Sequence, residues 1–325
     1  MKSKKEYREQ FLQKYGDKIK NANMTKIAYL IEKAVKTKNP KLLDYENIVS
    51  IGARKTGESI NKEQFNQLLE HIYEFWIENN IKPRLKTAKY DSEREQLQQL
   101  IDEFDEYKKD KTDFDIYDFW VYQGDRWLGG IKSPIYYQGR YFCHFYTNVM
   151  STDRFEFEKQ CYDARIYLNV KIQNSVELAK IFVDKALQKN VPLTFKIAFF
   201  EERNDNFVIY GDYQYLDSIV QMIEETKKEN PQLFEGCKVK NPLMATLGGY
   251  MGFGEEPFSF GSYNSIRTEI MEYAYRDLVK QFETDPTSLT QENIQQAFEL
   301  ACEKNHIDSE NFYLNKLDKY FSYDR

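Results

Sequence analysis

Cationic and polar side chains alternate with apolar ones along short segments in the middle of the sequence. In the segment 165–171 the apolar residues fall on one face of a predicted strand and the polar residues on the other. The polar side of this strand carries Arg165, Tyr167, Asn169 and Lys171. Arginine and lysine supply positive charge, and tyrosine and asparagine supply directed hydrogen bonds, so this arrangement suits an anionic ligand the size of phosphate.

Neighbouring segments repeat the pattern. His144, Tyr146 and Asn148 alternate along one predicted strand. Lys196 lies opposite the apolar side of a second strand, and Arg203 stands just before a third. A sheet with one solvent-exposed face alternates in the same way without binding any ligand. The pattern therefore leaves two interpretations open, an anion-binding face and an ordinary wet face.

Glycine is concentrated in the segment 242–267, which has a net charge near zero in an otherwise highly charged chain. Glycine suits a backbone that turns with positive φ or approaches a ligand closely. We therefore predict a binding loop here, with a long structural loop as the alternative. Its loop residues are Gly252, Gly254, Ser259 and Gly261. Glu255 and Glu256, two carboxylates at a predicted turn, could orient a cation or an amide, although carboxylates at a turn are more often solvated.

The spacing of apolar residues changes after the first third of the chain. Helical spacing predicts a helical N-terminal domain over residues 1–112. Period-two alternation then predicts short strands, 118–130 among them, with helices between and after them over residues 113–325. We expect an α+β fold, in which the helical N-terminal domain precedes a mostly antiparallel sheet with flanking helices.

The composition excludes several classes of protein. A net charge of −6 over 325 residues argues against a nucleic-acid partner, because neutralising phosphates needs a basic surface. The sequence has no apolar run of about 18 residues, so we expect neither a membrane span nor a membrane partner. The four cysteines form no CxxC pair and the three histidines no HExxH motif. We therefore expect reduced thiols, no metal site and a cytoplasmic location. Without a P-loop, HRD or DFG motif, a kinase is disfavoured.

Three blocks of the sequence resemble the HopA1-type effector proteins of bacteria. They are RIYLNVK at 165–171, FKI…R.D..VIY at 195–210, and P…G…G.GEEP.SFG…R at 242–267. The resemblance runs over roughly residues 140–280 and does not include the N-terminal helices. Relatives with this domain accompany kinases in lanthipeptide and thioamitide biosynthesis, where they are taken to be phosphoserine/phosphothreonine lyases.

The resemblance implies a lyase that eliminates phosphate from phosphoserine or phosphothreonine of a peptide or protein, leaving dehydroalanine or dehydrobutyrine. The reaction needs a base, cations for the phosphate and an acid for the leaving oxygen, but no metal or cofactor. The implied base is Lys196, with Lys171 as the second candidate, and the implied acid is His144 or a tyrosine such as Tyr167. The implied phosphate-binding residues are Arg165, Arg203, Arg267 and Asn169.

Under this hypothesis a partner kinase supplies the phosphorylated substrate, and the N-terminal helices bind a leader peptide or the partner. The alternative is a non-catalytic, effector-like module that docks a phosphorylated or acidic protein segment. One departure bears on this choice. Family members often carry a histidine beside the arginine that follows Ser-Phe-Gly, and the stretch from Ser259 to Arg267 has none. This leaves open that this copy has lost its activity.

Overall fold

One antiparallel sheet organises the part of the chain that the computed structural model describes, residues 2–51, 53, 56–109, 135–138, 142–146, 162–199, 204–257 and 262–317. Its strands lie in the order β1-β7-β8-β4-β6-β5-β3-β2. The strands are β1 (Ile19–Lys20), β2 (Ile135–Gln138), β3 (Phe142–Tyr146), β4 (Ala164–Leu168), β5 (Thr194–Ala198), β6 (Phe207–Gly211), β7 (Ala245–Leu247) and β8 (Met251–Glu255). The predicted α+β class, with helices before and around a mostly antiparallel sheet, is confirmed.

Helices pack against the sheet from both sides. They are α1 (Lys4–Tyr15), α2 (Met24–Thr37), α3 (Tyr45–Val49), α4 (Lys62–Trp76), α5 (Lys82–Thr87), α6 (Asp91–Lys109), α7 (Ile172–Lys189), α8 (Tyr213–Glu229), α9 (Tyr263–Thr284) and α10 (Gln291–Lys304). A π-helical turn, Ile77–Ile81, joins α4 to α5. The predicted strand at 118–130 lies outside the described residues.

The N-terminal helices do not stand apart from the sheet. Strand β1 pairs with β7 through Ile19 and Leu247 and so forms one edge of the sheet. Helix α1 contacts α8, and α4 contacts α7. The division into domains at residue 112 therefore stays a prediction from the sequence, while the structure shows the N-terminal region in contact with the rest.

Both faces of the sheet are buried. Ile166, Ile209 and Phe195 belong to a core shared with apolar residues of α1, α4, α7 and α8. On the opposite face, Tyr167 and Val208 belong to a second core with residues of α2, α9 and α10. We call this second face, which carries Arg165, Tyr167 and Lys196, the polar face. The interpretation of the alternation as an ordinary wet face is therefore wrong, since helices cover this face.

Local capping positions the two helices that lie over the polar face. Helix α2 begins at Asn23, whose side chain accepts a hydrogen bond of 3.0 Å from the backbone of Lys26. Helix α9 begins with a capping box, in which the Ser262 hydroxyl accepts from the backbone of Ser265 at 3.2 Å. Such caps satisfy backbone donors that the first helical turn leaves open. Both helices thus start at defined points beside the sheet.

The glycine-rich segment forms a β-hairpin, so Gly252 and Gly254 lie in a strand and not in a loop, and their predicted role in binding stays a prediction. Gly248 and Gly249 form the turn with φ of 61° and 83°, which suits a tight hairpin. Gly252 and Gly254 lie within β8, on the polar face beside β4. The two other predicted loop residues, Ser259 and Gly261, lie outside the described residues. Gly254 therefore serves the packing of α9 on the sheet, and Gly252 lines a small cavity beside Tyr167.

We predict that Gly254→Ala destabilises the fold. A Cβ at this position would lie 2.2 Å from the ring of Tyr263, the residue with which α9 packs against β8. Overpacking of this kind costs roughly 1–3 kcal/mol or more. Gly16→Ala is the control, because its Cβ meets nothing within 4 Å and its φ of −52° is helical. Urea unfolding that gives the two variants equal stability would contradict the prediction.

Candidate functional site

The register of the sheet aligns residues of the polar face in two rows. In the first row, Tyr167 of β4 stands between Gly252 of β8 and Val208 of β6. Val208 pairs with Lys196 of β5, and Lys196 pairs with His144 of β3. Because neighbouring strands are about 4.8 Å apart, the backbones of Tyr167 and Lys196 are separated by about 10 Å on the same face. The sheet therefore places two of the predicted catalytic residues, Tyr167 and Lys196, on one face, and the backbone of a third, His144, lies in the same row.

The second row centres on Arg165, which pairs with Gly254 on one side and Tyr210 on the other. The guanidinium group lies over the Tyr210 ring, 4.8 Å from its centroid. Both Nε and Nη2 donate to the carboxylate of Glu256, so the fork binds this carboxylate bidentately. Arg165 is buried, with 8% of its surface exposed. The predicted phosphate-binding arginine thus already holds an anion, a carboxylate of its own chain.

Tyr167 presents a phenol without a hydrogen-bond partner among the described residues. The side chain is buried, and its Oη atom is orphaned. Burial raises the pKa of this phenol well above its ordinary value, while the nearby Arg165 acts in the opposite direction. The residue lines a cavity of about 10 Å³ together with Asn169, Asn204 and Asn241. At neutral pH Tyr167 is therefore a protonated donor facing a small polar cavity.

Lys196 and Asn169 share this buried environment with Tyr167. Lys196 is 8% exposed and Asn169 is 3% exposed. The Asn169 amide donates to the backbone carbonyl of Lys238 at 3.4 Å, which places the segment after α8 at the wall of the cavity. Two more predicted site residues are thus buried, Lys196 on the polar face of the sheet and Asn169 at the cavity beside it.

Lys171 does not join this group. Strand β4 ends at Leu168, and Lys171 caps the start of α7 instead of continuing the strand. Its ammonium group pairs with Glu235 at 2.5 Å, and both side chains are largely exposed. Of the two predicted lysine bases, the structure places only Lys196 on the polar face.

Arg267 is fully buried on α9, where it contacts the C-terminal segment. Its Nε donates to the carbonyl of Phe312 at 2.8 Å and its Nη2 to that of Leu314 at 3.4 Å. The guanidinium group also lies 4.6 Å from the centroid of Tyr263. Its Nη1 has no hydrogen-bond partner in the described part of the chain. The contacts that the structure shows for Arg267 therefore fasten residues 312–314 to α9, and a role in phosphate binding stays a prediction.

The structure does not describe the side chains of two predicted site residues, His144 and Arg203. The backbone of His144 lies opposite Lys196 in β3, and this pairing is all that the structure shows of it. Arg203 lies outside the described residues, so its predicted phosphate contact stays a prediction.

Acidic residues are the partners of the cations at the site. Solvation was the favoured interpretation for Glu255 and Glu256, but the alternative, that they orient a cation, is what the structure shows: Glu255 is fully buried against Arg8, and Glu256 pairs with Arg165. A third carboxylate, Asp205, is 2% exposed and accepts from the Asn264 amide at 3.3 Å. The adjacent Glu255-Glu256 pair beside an arginine-bearing strand was a signal for ion pairing, but alternation alone does not show which strands are neighbours.

Glu255 connects four separate segments of the chain. Its carboxylate accepts from Nε and Nη2 of Arg8 on α1, the second at 3.2 Å. The Tyr213 hydroxyl of α8 donates at 2.5 Å, and the backbone of Asn315 donates at 2.6 Å. All of these groups are buried. Glu255 therefore anchors β8, next to the site, to both ends of the described chain.

Metal and membrane sites are absent from the described residues. They contain no cluster of three or more histidine, cysteine, aspartate or glutamate side chains arranged to hold a metal ion. None of their helices combines the length and apolar character that crossing a membrane requires.

Comparison with known proteins gives one family. The model of the HopA1 effector protein family matches residues 143–314, which is more than half of the chain. No curated protein matches the sequence.

Two solved structures are similar to this chain over most of its length. An effector protein from Pseudomonas syringae pv. tomato strain DC3000 superimposes with a TM-score of 0.51 at 14% identity, covering 91% of this chain and 98% of that chain. An effector protein from Pseudomonas syringae pv. syringae strain 61 gives a TM-score of 0.45 at the same identity and coverage. At this identity the first likeness shows the fold alone.

We predict that Glu255→Gln strongly destabilises the protein. Glutamine keeps the shape of the side chain but leaves the buried Arg8 without its counter-charge. Removing one partner of a buried pair costs about 3–5 kcal/mol. The matched control is Glu32→Gln, which breaks the exposed pair with Lys36 and costs about 0–1 kcal/mol. Urea unfolding measures both, and a loss at Glu255 no larger than at Glu32 would refute the anchoring role.

Proposed function

We propose that this protein, which belongs to the HopA1 effector protein family, is a lyase that eliminates phosphate from phosphoserine or phosphothreonine of a peptide or protein. One observation carries the proposal: Lys196, Tyr167 and Arg165 lie on the same buried face of the sheet. These residues supply the base, the acid and the cation that the elimination needs. The family match gives the context of effector proteins, and the lyase chemistry is our own inference.

The elimination forms one double bond and breaks two single bonds. A base removes the Cα proton, the electrons of that bond form the Cα=Cβ double bond, and the Cβ–O bond breaks as phosphate leaves. Lys196 is the base in this proposal because, of the two candidate lysines, it is the one that the sheet places on the buried polar face. Its burial at 8% exposure supports that role over Lys171, whose side chain is 43% exposed.

The leaving phosphate needs charge neutralisation and a proton. Arg165 supplies the bidentate cation, with Arg203 and Arg267 as further proposed ligands. Tyr167 supplies the proton, since its buried phenol is protonated at neutral pH and its Oη has no competing partner among the described residues. His144, whose backbone pairs with that of Lys196, is the alternative acid. The scheme uses no metal or cofactor.

The substrate follows from the chemistry. A protein-borne phosphoserine or phosphothreonine requires a kinase that forms it, so we propose a partner kinase in the same bacterial cytoplasm. The dehydroalanine or dehydrobutyrine product is an electrophile, available to a later addition reaction.

A second candidate is a non-catalytic module that docks a phosphorylated or acidic protein segment. The pairing of Arg165 with Glu256 favours it, because the cation is already neutralised. The cavity at Tyr167 argues against elimination inside it, since its volume of about 10 Å³ is room for about one water molecule and not for a substrate residue. In this case the polar face recognises the phosphate and leaves the Cβ–O bond intact.

Phosphoserine and phosphothreonine peptides incubated with the purified protein are expected to lose phosphoric acid and to leave a dehydro residue, detected by mass spectrometry. Lys196→Met should lower the rate by about 100-fold or more, because the base is removed. Lys171→Met is the matched control and should keep the wild-type rate, since Lys171 pairs with Glu235 at the surface.

Other outcomes separate the candidates. Phosphate loss with gain of water identifies a phosphatase and overturns the lyase. Binding of the peptide without any mass change supports the docking module. Equal losses of rate in the two lysine variants would reject Lys196 as the base.

A further inference from the structure

The buried ion pair between Arg165 and Glu256 occupies the atoms with which an arginine binds phosphate. Nε and Nη2 of Arg165 both donate to Glu256, as they would to a phosphate group. The side chains are 10% and 17% exposed, so the pair lies at the border between the interior and the solvent. An incoming anion therefore binds Nε and Nη2 of Arg165 bidentately only by replacing this carboxylate.

Arg165 is the fixed member of the pair. It extends from the central strand β4, and its guanidinium group lies over the Tyr210 ring at 4.8 Å. Tyr167 and Tyr210 flank it along the polar face, and both are buried. The guanidinium group is thus held by its contact with an aromatic ring as well as by the ion pair.

Glu256 is the member that can leave. It follows the last residue of β8, and its backbone is held by two hydrogen bonds, from its N–H to the Asp163 carbonyl at 2.9 Å and from the Asn315 amide to its carbonyl at 2.6 Å. Its carboxylate contacts Arg165 alone among the bonds that the structure shows for it. Rotation of this partly exposed side chain frees Arg165 without moving the backbone.

We propose that Glu256 is a specificity-determining residue, which excludes carboxylate side chains from Arg165 and admits only phosphomonoesters. An intramolecular carboxylate competes at an effective concentration in the millimolar range or above. An external aspartate or glutamate brings the same single charge and gains nothing over Glu256. A phosphomonoester brings about two charges and three acceptor oxygens, and therefore displaces it. This inference rests on the proposed function only in placing the phosphate at Arg165.

The selectivity is of use to either candidate function. Exposed glutamate and aspartate side chains are common on protein surfaces. A free arginine would bind them as competing ligands, whereas one that is internally neutralised discriminates by charge. The group that excludes the wrong ligands is thus Glu256, a residue of the chain itself.

Three fluorescent peptides of one sequence test the proposal by anisotropy, with a phosphonate analogue of phosphoserine, a glutamate or a serine at the central position. The phosphonate has a carbon in place of the ester oxygen, so a lyase does not consume it. Wild-type protein should bind the phosphonate peptide and neither of the others. Glu256→Gln should bind the glutamate peptide at least about 10-fold more tightly than wild type does, and the phosphonate peptide more tightly as well.

The matched control is Glu303→Gln, which removes the carboxylate from an exposed pair with Lys316 far along the chain. It should keep the wild-type selectivity. If Glu256→Gln does not fold, Glu256→Asp, which shortens the side chain by one methylene, should still weaken the discrimination between phosphonate and glutamate. Far-ultraviolet circular dichroism and urea unfolding establish that each variant is folded.

The outcomes distinguish this inference from the lyase. Unchanged selectivity in folded Glu256 variants overturns the proposal and makes the pair purely structural. Absence of phosphonate binding to any variant overturns the placement of phosphate at Arg165, and the proposal with it. Selective binding without turnover of phosphoserine peptides supports this proposal while the lyase alone fails.

Discussion

The carboxylate of Glu255 is the interaction on which the rest of the structure depends. It is fully buried and accepts hydrogen bonds from Arg8, Tyr213 and the backbone of Asn315. An isolated buried carboxylate is costly, so its stability requires all of these donors at once. Helix α1, strand β8, helix α8 and the C-terminal segment are consequently fixed relative to one another. The next residue, Glu256, therefore follows a fixed stretch of backbone, and its carboxylate pairs with Arg165.

Close packing of α9 on the sheet makes the polar face a buried environment. Tyr263 fills the space above Gly254, and its hydroxyl donates to the carbonyl of Leu243 at 2.7 Å. Only glycine, which has no Cβ, leaves room for this ring, so Gly254 allows α9 to pack closely on the sheet. The Tyr263 ring also lies 6.1 Å from the ring of Tyr167. Bulk solvent is thereby kept from Tyr167, and its dipole interacts more strongly than at a surface. The chemistry that we propose depends on this exclusion more than on any single residue.

Alternation in the sequence predicted strands β3, β4, β5 and β6, but not β1, β2, β7 and β8. It also identified Tyr167, Asn169 and Arg165, because alternation shows which side chains share one face of a strand. It did not show which strands are neighbours, so solvation was the favoured interpretation for Glu256, and Lys171 was expected in the site. Strand pairing and the ends of strands depend on long-range contacts, such as that of Arg8 with Glu255, which leave no local pattern. The hairpin at 245–255 was predicted as a loop, because glycine occurs both at turns and within strands where another group packs closely on the backbone.

Charge balance decides how the site can act. On the polar face, the charge of Arg165 is already neutralised by Glu256 before any substrate binds. A dianion that simply entered would leave excess negative charge in a poorly solvated place, which is costly. Exchange of Glu256 for phosphate avoids most of this cost, because one carboxylate leaves to the solvent as the phosphate arrives. The internal ion pair is therefore compatible with anion binding, and it sets the condition that the anion be stronger than a carboxylate.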